Sequence, residues 1–242
     1  MIRVACILLL SPLMVNLDPA YRPPAGPDFF PRIEHYFNSL DPALMDTGRV
    51  AGLCSLKASI TSGITSGRNI EVLFIDPDNS FRSQEAQIVL QSLVLAAHMD
   101  KLRVLSAGYT VGKLDPRLLR LLALIGYQVK LISGKQDKEP VYSIQFSKRS
   151  PPVIVFAKKF DDFSIPRSIY HVIKTCTADD EKCSDIPGAL FTTEQPYNDP
   201  NTIRDPKALE NEFNKIAAEI YFTFRDAGLQ ASSSGRIIKT KA

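Results

Sequence analysis

The chain has 242 residues, 45% of them hydrophobic and 23% charged, the balance of an ordinary globular protein with room for one substantial core plus extensions. Its formal net charge of +3 is mild, and its lysines and arginines are scattered except near the C-terminus, which argues against a nucleic-acid-binding stripe. Four cysteines are too few for a disulfide-held scaffold.

At the N-terminus, Arg3 precedes an apolar run that reaches Val15 and is interrupted by Pro12. The run has the length of an export signal's apolar core and is too short for a membrane span, but no small-x-small cleavage site follows it, so export and cytoplasmic residence both stay open. Residues 16–28, with Arg22-Pro23-Pro24-Ala25-Gly26-Pro27, read as an extended linker, so 1–28 is expected to be a leader and linker. Residues 29–40 and 50–66 are predicted helices, the second weakened by its Ser, Thr and Gly; together 29–67 form a helical extension.

From Ile70 the pattern alternates: strand 70–75, helix 82–98, strand 102–107, helix 115–125, the order of a parallel sheet covered by helices. Asp115-Pro116 supplies an N-cap and a first-turn proline for the last of these. Residues 127–133 and 141–147 alternate apolar and polar side chains around a Gly134–Lys138 turn, as a hairpin inserted at the sheet edge would. Residues 169–175 and 190–194 are further strands. Residues 207–226 form an amphipathic helix through Leu209, Phe213, Ile216, Ile220 and Phe224, and 229–242, with Ser232-Ser233-Ser234-Gly235, read as a disordered tail. The fold class predicted for 68–228 is α/β: a three-layer, doubly wound fold with a central four-stranded parallel sheet, an inserted β-hairpin and the N-terminal helical extension.

The stretch with the most chemistry is the junction after the first strand, Asp76-Pro77-Asp78-Asn79-Ser80-Phe81-Arg82-Ser83. A tight polar loop between a buried strand and a helix start turns several backbone N–H groups and the helix dipole toward one point, and an arginine fork there fixes an oxyanion. Asn79 suits a left-handed position in such a loop. The stretch resembles the catalytic loop of the low-molecular-weight protein-tyrosine-phosphatase and thioredoxin-coupled arsenate reductase superfamily, an apolar strand followed by Cys-x-x-Asn-Ser-x-Arg-Ser. Asn79, Ser80, Arg82 and Ser83 match it, and Asp76 stands where that family has its nucleophilic cysteine.

Other segments resemble the same superfamily in the same order across 70–228. Phe30-Pro31-Arg32-Ile33-Glu34 is similar to the start of the N-terminal helical extension of a bacterial branch. Ser106-Ala107-Gly108 and Asp115-Pro116 are similar to its second strand and helix start. Cys176, an acidic loop, Cys183 and Pro187-Gly188-Ala189 are similar to the reductases' cysteine pair. The resemblance implies that Arg82 holds an oxyanion with Asn79, Ser80 and Ser83, that Asp199 of Asp199-Pro200 occupies the general-acid position, and that Cys176 and Cys183 correspond to the redox pair. From the residues alone, the two cysteines read equally as small packing groups, and Asp199-Pro200 as an ordinary turn.

The superfamily reaction needs a thiolate. With Asp76 in its place, Pro77 lacking an N–H and Asp78 adding a second negative charge, the resemblance implies a pseudoenzyme with a modified anion-binding loop and no cofactor. A phosphate-like anion or a phosphoprotein is the expected partner, with no nucleic acid and no membrane span. One alternative is an active phosphate-monoester hydrolase using Asp76, or a magnesium ion bound by Asp76 and Asp78. A looser resemblance to haloacid-dehalogenase-type phosphotransferases, with Ser106, Lys135 and Asp161-Asp162, belongs with it. Another is an interaction module working through 29–67 or the hairpin around Lys135. His35, His98 and His171 show no metal-ligand spacing, and His171 is expected as a half-exposed strand residue.

Overall fold

The computed structural model describes residues 28–45, 48–135, 138–167, 170–178, 180 and 183–225. The leader and linker expected over 1–28, Asp28 excepted, and the tail expected over 229–242 lie outside the described residues.

The strand β1 (Ile70–Asp76) organises the molecule: its β-branched and aromatic run is buried at every position but Glu71, as a central parallel strand covered on both faces must be. It pairs in parallel with β2 (Leu102–Gly108) on one side and β6 (Tyr170–Lys174) on the other. β7 (Ala189–Glu194) continues beyond β6, giving the order β2-β1-β6-β7. Alternate residues of β1 enter two clusters. Val72 and Phe74 join α3 (Arg82–Ala96) and α5 (Pro206–Phe224), while Leu73 and Ile75 meet Ile165, Tyr170 and Ile186 on the opposite face. Each such fully buried aliphatic or aromatic side chain stabilises the fold by about 1.5–3 kcal/mol. The architecture is therefore an α/β fold with a central parallel sheet of four strands flanked by helices.

The helix starts follow local chemistry. Asp115 caps α4 (Pro116–Ile125) by accepting from the Arg117 N–H, and Asp205 caps α5 in the same way through Lys207 and Ala208, each with proline at the first helical position. Gly126, at φ 114°, ends α4 in the left-handed conformation that favours glycine.

The N-terminal helices α1 (Pro31–Ser39) and α2 (Val50–Thr65) share the main core rather than standing apart: Ile33, Phe37, Leu53, Leu56 and Ile60 are all buried in it. The Phe37 ring stacks on Tyr221 of α5 at 4.8 Å, and Arg49 pairs with Glu219 at 3.1 Å.

The hairpin differs from its expected place. β3 (Gln128–Lys135) and β4 (Lys138–Gln145) form it, but β4 pairs with β5 (Val153–Val155) in a separate antiparallel sheet, order β3-β4-β5, instead of extending the edge of the parallel one. A three-residue strand directly after Pro151-Pro152 is too short to show alternation, yet it satisfies β4's second edge, and Tyr142, Ile144, Val153 and Val155 dock this sheet on the main core. Among the described residues no helix is long and apolar enough to cross a membrane.

Candidate anion-binding site

The carboxyl end of β1 is where the loop 76–83 turns into α3. Asn79 sits at φ 57°, the left-handed position expected of it, and its side chain ties the loop down. Its amide donates to Ser83 Oγ at 2.9 Å, while its Oδ1 accepts from the Gln84 side chain at 2.8 Å and from the Lys158 backbone N–H at 3.0 Å. The loop is braced from outside as well: Asp115 N–H donates to the Ser80 carbonyl at 3.1 Å, and the Thr110 and Gly112 N–H groups donate to the carbonyls of Pro77 and Asp78. Gly108 lets β2 approach, since a Cβ there would lie 2.7 Å from Asn79 N and would also strike the Thr110 carbonyl.

The cradle built this way is already filled. The Asp76 carboxylate, 1% exposed, accepts from the Asn79 N–H at 2.5 Å with one oxygen and from the Ser83 N–H at 3.0 Å with the other. Asp78 takes the Ser80 N–H at 3.2 Å, and Pro77 has none to give. Burial pushes the Asp76 carboxyl above its ordinary value; the Ser83 N–H and the nearby Arg82 pull the other way and only partly offset it. Both loop carboxylates thus point their oxygens at donors that would face an external anion.

Arg82, 3% exposed, is also engaged. Its two terminal nitrogens meet the two oxygens of Asp180 at 3.0 and 3.2 Å, and one of them donates to the Tyr197 carbonyl at 2.8 Å. Asp180 accepts in addition from the Thr177 N–H at 2.6 Å. Burial alone would raise the Asp180 carboxyl, but the Arg82 fork and Thr177 outweigh it and hold it below the ordinary range. Asp180 lies between Cys176 and Cys183, which form a disulfide. Thr175, at the end of β6, donates through both N–H and hydroxyl to the Ile75 carbonyl, and so brings this segment to the mouth of the cradle.

Of the residues predicted for the site, Asp76, Asp78, Asn79, Ser80, Arg82 and Ser83 converge, and Cys176 and Cys183 lie beside them. Asp199 is directed elsewhere: its carboxylate caps its own turn through the Asn201 N–H at 2.9 Å. No hydrogen bond joins it to Asp76 or Arg82 among the described residues. The haloacid-dehalogenase arrangement does not assemble, because Ser106 donates to Gln87, Lys135 lies at the hairpin tip and Asp161 pairs with Lys159. Nor do Asp76 and Asp78 belong to a group of three potential metal ligands; among the described residues the one such group is Cys176, Asp180 and Cys183, whose sulfurs are bonded to each other. Sequence reasoning missed Asp180, Gln84 and Lys158. The acidic run between the cysteines was the only signal for the first, and nothing in the sequence marks the other two.

The class of structure is an α/β fold with a central parallel four-stranded sheet flanked by helices and a tight strand-loop-helix junction at the end of its first strand. No family model matches the chain, and no curated protein matches it. Solved structures to which it is similar include arsenate reductases and low-molecular-weight phosphotyrosine phosphatases. One is a thioredoxin-dependent arsenate reductase of Corynebacterium glutamicum, 18% identical over 82% of this chain and 85% of that one, with a TM-score of 0.41. Another is a low-molecular-weight phosphotyrosine phosphatase of Vibrio cholerae, 17% identical over 70% and 99%, TM-score 0.40. A third is an arginine phosphatase of Drosophila, 13% identical over 69% and 100%, TM-score 0.42. Likeness at this level carries nothing about the activity of this chain.

Proposed function

We propose that the chain is a low-molecular-weight-phosphatase- and arsenate-reductase-like protein, of the bacterial branch with an N-terminal helical extension, that has given up thiol chemistry: a pseudoenzyme whose cradle serves as an internal structural joint. The observation that carries this reading is the Asp76 carboxylate accepting the Asn79 and Ser83 N–H groups with its two oxygens. A nucleophile must present its attacking atom to a substrate held by those same donors, and here nucleophile position and donors are spent on each other. A dianion entering the cradle would also meet the charges of Asp76 and Asp78 at contact distance.

The alternative of a hydrolase using Asp76, or a magnesium ion on Asp76 and Asp78, finds both Asp76 oxygens and Asp78 Oδ1 already accepting backbone N–H groups, with no third potential metal ligand grouped with them among the described residues. The test is hydrolysis of an aryl phosphate, with and without magnesium, and dithiol-dependent reduction of arsenate by the purified chain. Rates equal to buffer are expected throughout. Turnover above buffer that disappears in Asp76→Asn would overturn the proposal.

A further inference from the structure

The sheet has a second concave site at its other end, unrelated to the cradle. Ser59 of α2, Arg68, Asn69 and Ile70 before and at the start of β1, His171 of β6, and Leu190 and Phe191 of β7 enclose a cavity of about 340 Å³, at the small end of the range for ligand pockets, ~300–1,000 Å³. Open α/β sheets ordinarily bind ligands at the carboxyl ends of their strands. This cavity lies at the amino ends.

Three features of its lining are unusual together. First, His171 is buried, 3% exposed, where the sequence led us to expect a half-exposed residue, and its Nδ1 has no hydrogen-bond partner among the described residues. Burial and the charge of Arg68 hold the imidazole below its ordinary value, so it is neutral at pH 7 and carries one donor and one acceptor nitrogen. Second, that ring lies nearly parallel to Phe191, centroids 5.3 Å apart at 13°, yet Phe191 itself is 56% exposed, as is Leu190 beside it at 50%. A large apolar pair on an edge strand, next to an unsatisfied imidazole, is an incomplete packing arrangement. Third, Arg68 at the rim is exposed and has no carboxylate partner among the described residues, which leaves its guanidinium open to an anion.

We infer that this cavity binds a small aromatic carboxylate: the ring extends the His171–Phe191 stack and covers Phe191 and Leu190, and the carboxylate meets the Arg68 guanidinium. An aliphatic acid fills the charge requirement without the stack, and a neutral aromatic fills the stack without the charge, so the site should reject both relative to the combination.

The experiment uses the full chain and four probes: 4-hydroxybenzoate, benzoate, cyclohexanecarboxylate and 4-hydroxybenzyl alcohol, titrated while the imidazole proton resonances are followed by NMR, with His171→Gln identifying the His171 signal. Saturable displacement of that signal by 4-hydroxybenzoate is expected, with the cyclic aliphatic acid and the alcohol each weaker by about tenfold or more. Arg68→Ala and Phe191→Ala, both at exposed side chains where folding is not in question, should each weaken 4-hydroxybenzoate by about tenfold. Absence of saturable displacement by either aromatic acid up to about 10 mM, or equal affinity in Arg68→Ala, would overturn the inference. Neither result bears on the cradle, whose reading stands or falls with the Asp76 measurements.

Discussion

Arg82 and Asp180 face each other as a two-toothed fork and a carboxylate, 98 residues apart in sequence, with nitrogen–oxygen distances of 3.0 and 3.2 Å. This is the geometry in which an arginine grips an oxyanion, and here the oxyanion belongs to the chain. Together with Asp76 inside the loop, it means that both halves of the cradle, the N–H groups and the guanidinium, are satisfied from within.

The Arg82–Asp180 pair is nearly dry, with side chains 3% and 11% exposed, so removing one partner strands a buried charge. Asp180→Ala is expected to lower unfolding free energy by about 3–5 kcal/mol, the range for breaking a buried ion pair from one side. In the Arg82→Met/Asp180→Ala double variant much of that loss should be recovered, because no charge is left unpaired. Urea unfolding of the two single variants and the double variant measures the coupling. Strictly additive losses would show that the two groups do not sense each other.

Asp76→Ala frees the Asn79 and Ser83 N–H groups and removes the charge that excludes an anion. Inorganic phosphate should then raise the melting temperature of the variant, by about 5–11 °C when present at a hundred times its Kd, and leave the native chain unchanged. Melting curves of both proteins across a phosphate titration at constant ionic strength check this. Stabilisation of the native chain to the same extent would mean that the cradle is open despite Asp76.

How the loop would look was legible from its residues, and what it holds was not. An apolar strand followed by Asn79, Ser80, Arg82 and Ser83 specifies the turn, because only a few side chains suit a left-handed position and a helix start. The occupancy of its donors depends on rotamers and on which acid of the run between Cys176 and Cys183 reaches Arg82, a long-range choice no local pattern encodes. The same applies to Asp199, whose Asp-Pro context left open both a catalytic and a turn role; in the folded chain its carboxylate holds a turn. The strands and helices of the parallel sheet were read nearly to their ends because period and capping are local. β5 escaped since three residues carry no period, and its pairing decided where the hairpin docks.

At Gly108 β2 passes close against the cradle loop. Alanine there would place a Cβ 2.7 Å from both Asn79 N and the Asp78 carbonyl carbon, backbone atoms that cannot swing aside as a side-chain tip would. Gly108→Ala is expected to destabilise by about 1–3 kcal/mol, the range for overpacking a close contact. The loop should also open, with faster hydrogen exchange at the Asn79 and Ser83 amides. Unchanged exchange at those two amides would count against the loop being held by this approach.

Glu85, in the first turn of α3, has both carboxyl oxygens buried and without a hydrogen-bond partner among the described residues. Burial, with a smaller push from Glu212, raises its carboxyl well above the ordinary 4.5, so the folded state holds it protonated at pH values where the unfolded chain releases the proton. Below the ordinary value both states are protonated and the fold keeps its full stability; as pH rises above it the unfolded state alone gains, and stability declines until the raised folded value is passed. One proton limits the slope to about 1.4 kcal/mol per pH unit. Glu85→Gln keeps the shape and cannot ionise, so its advantage over the native chain should be near zero at pH 4 and grow as pH rises above the ordinary carboxyl value, levelling off once the raised folded value is passed. Urea midpoints of both proteins across that range decide it. A constant offset would mean that Glu85 finds a partner or water in solution, and that α3 is less tightly enclosed than its burial implies.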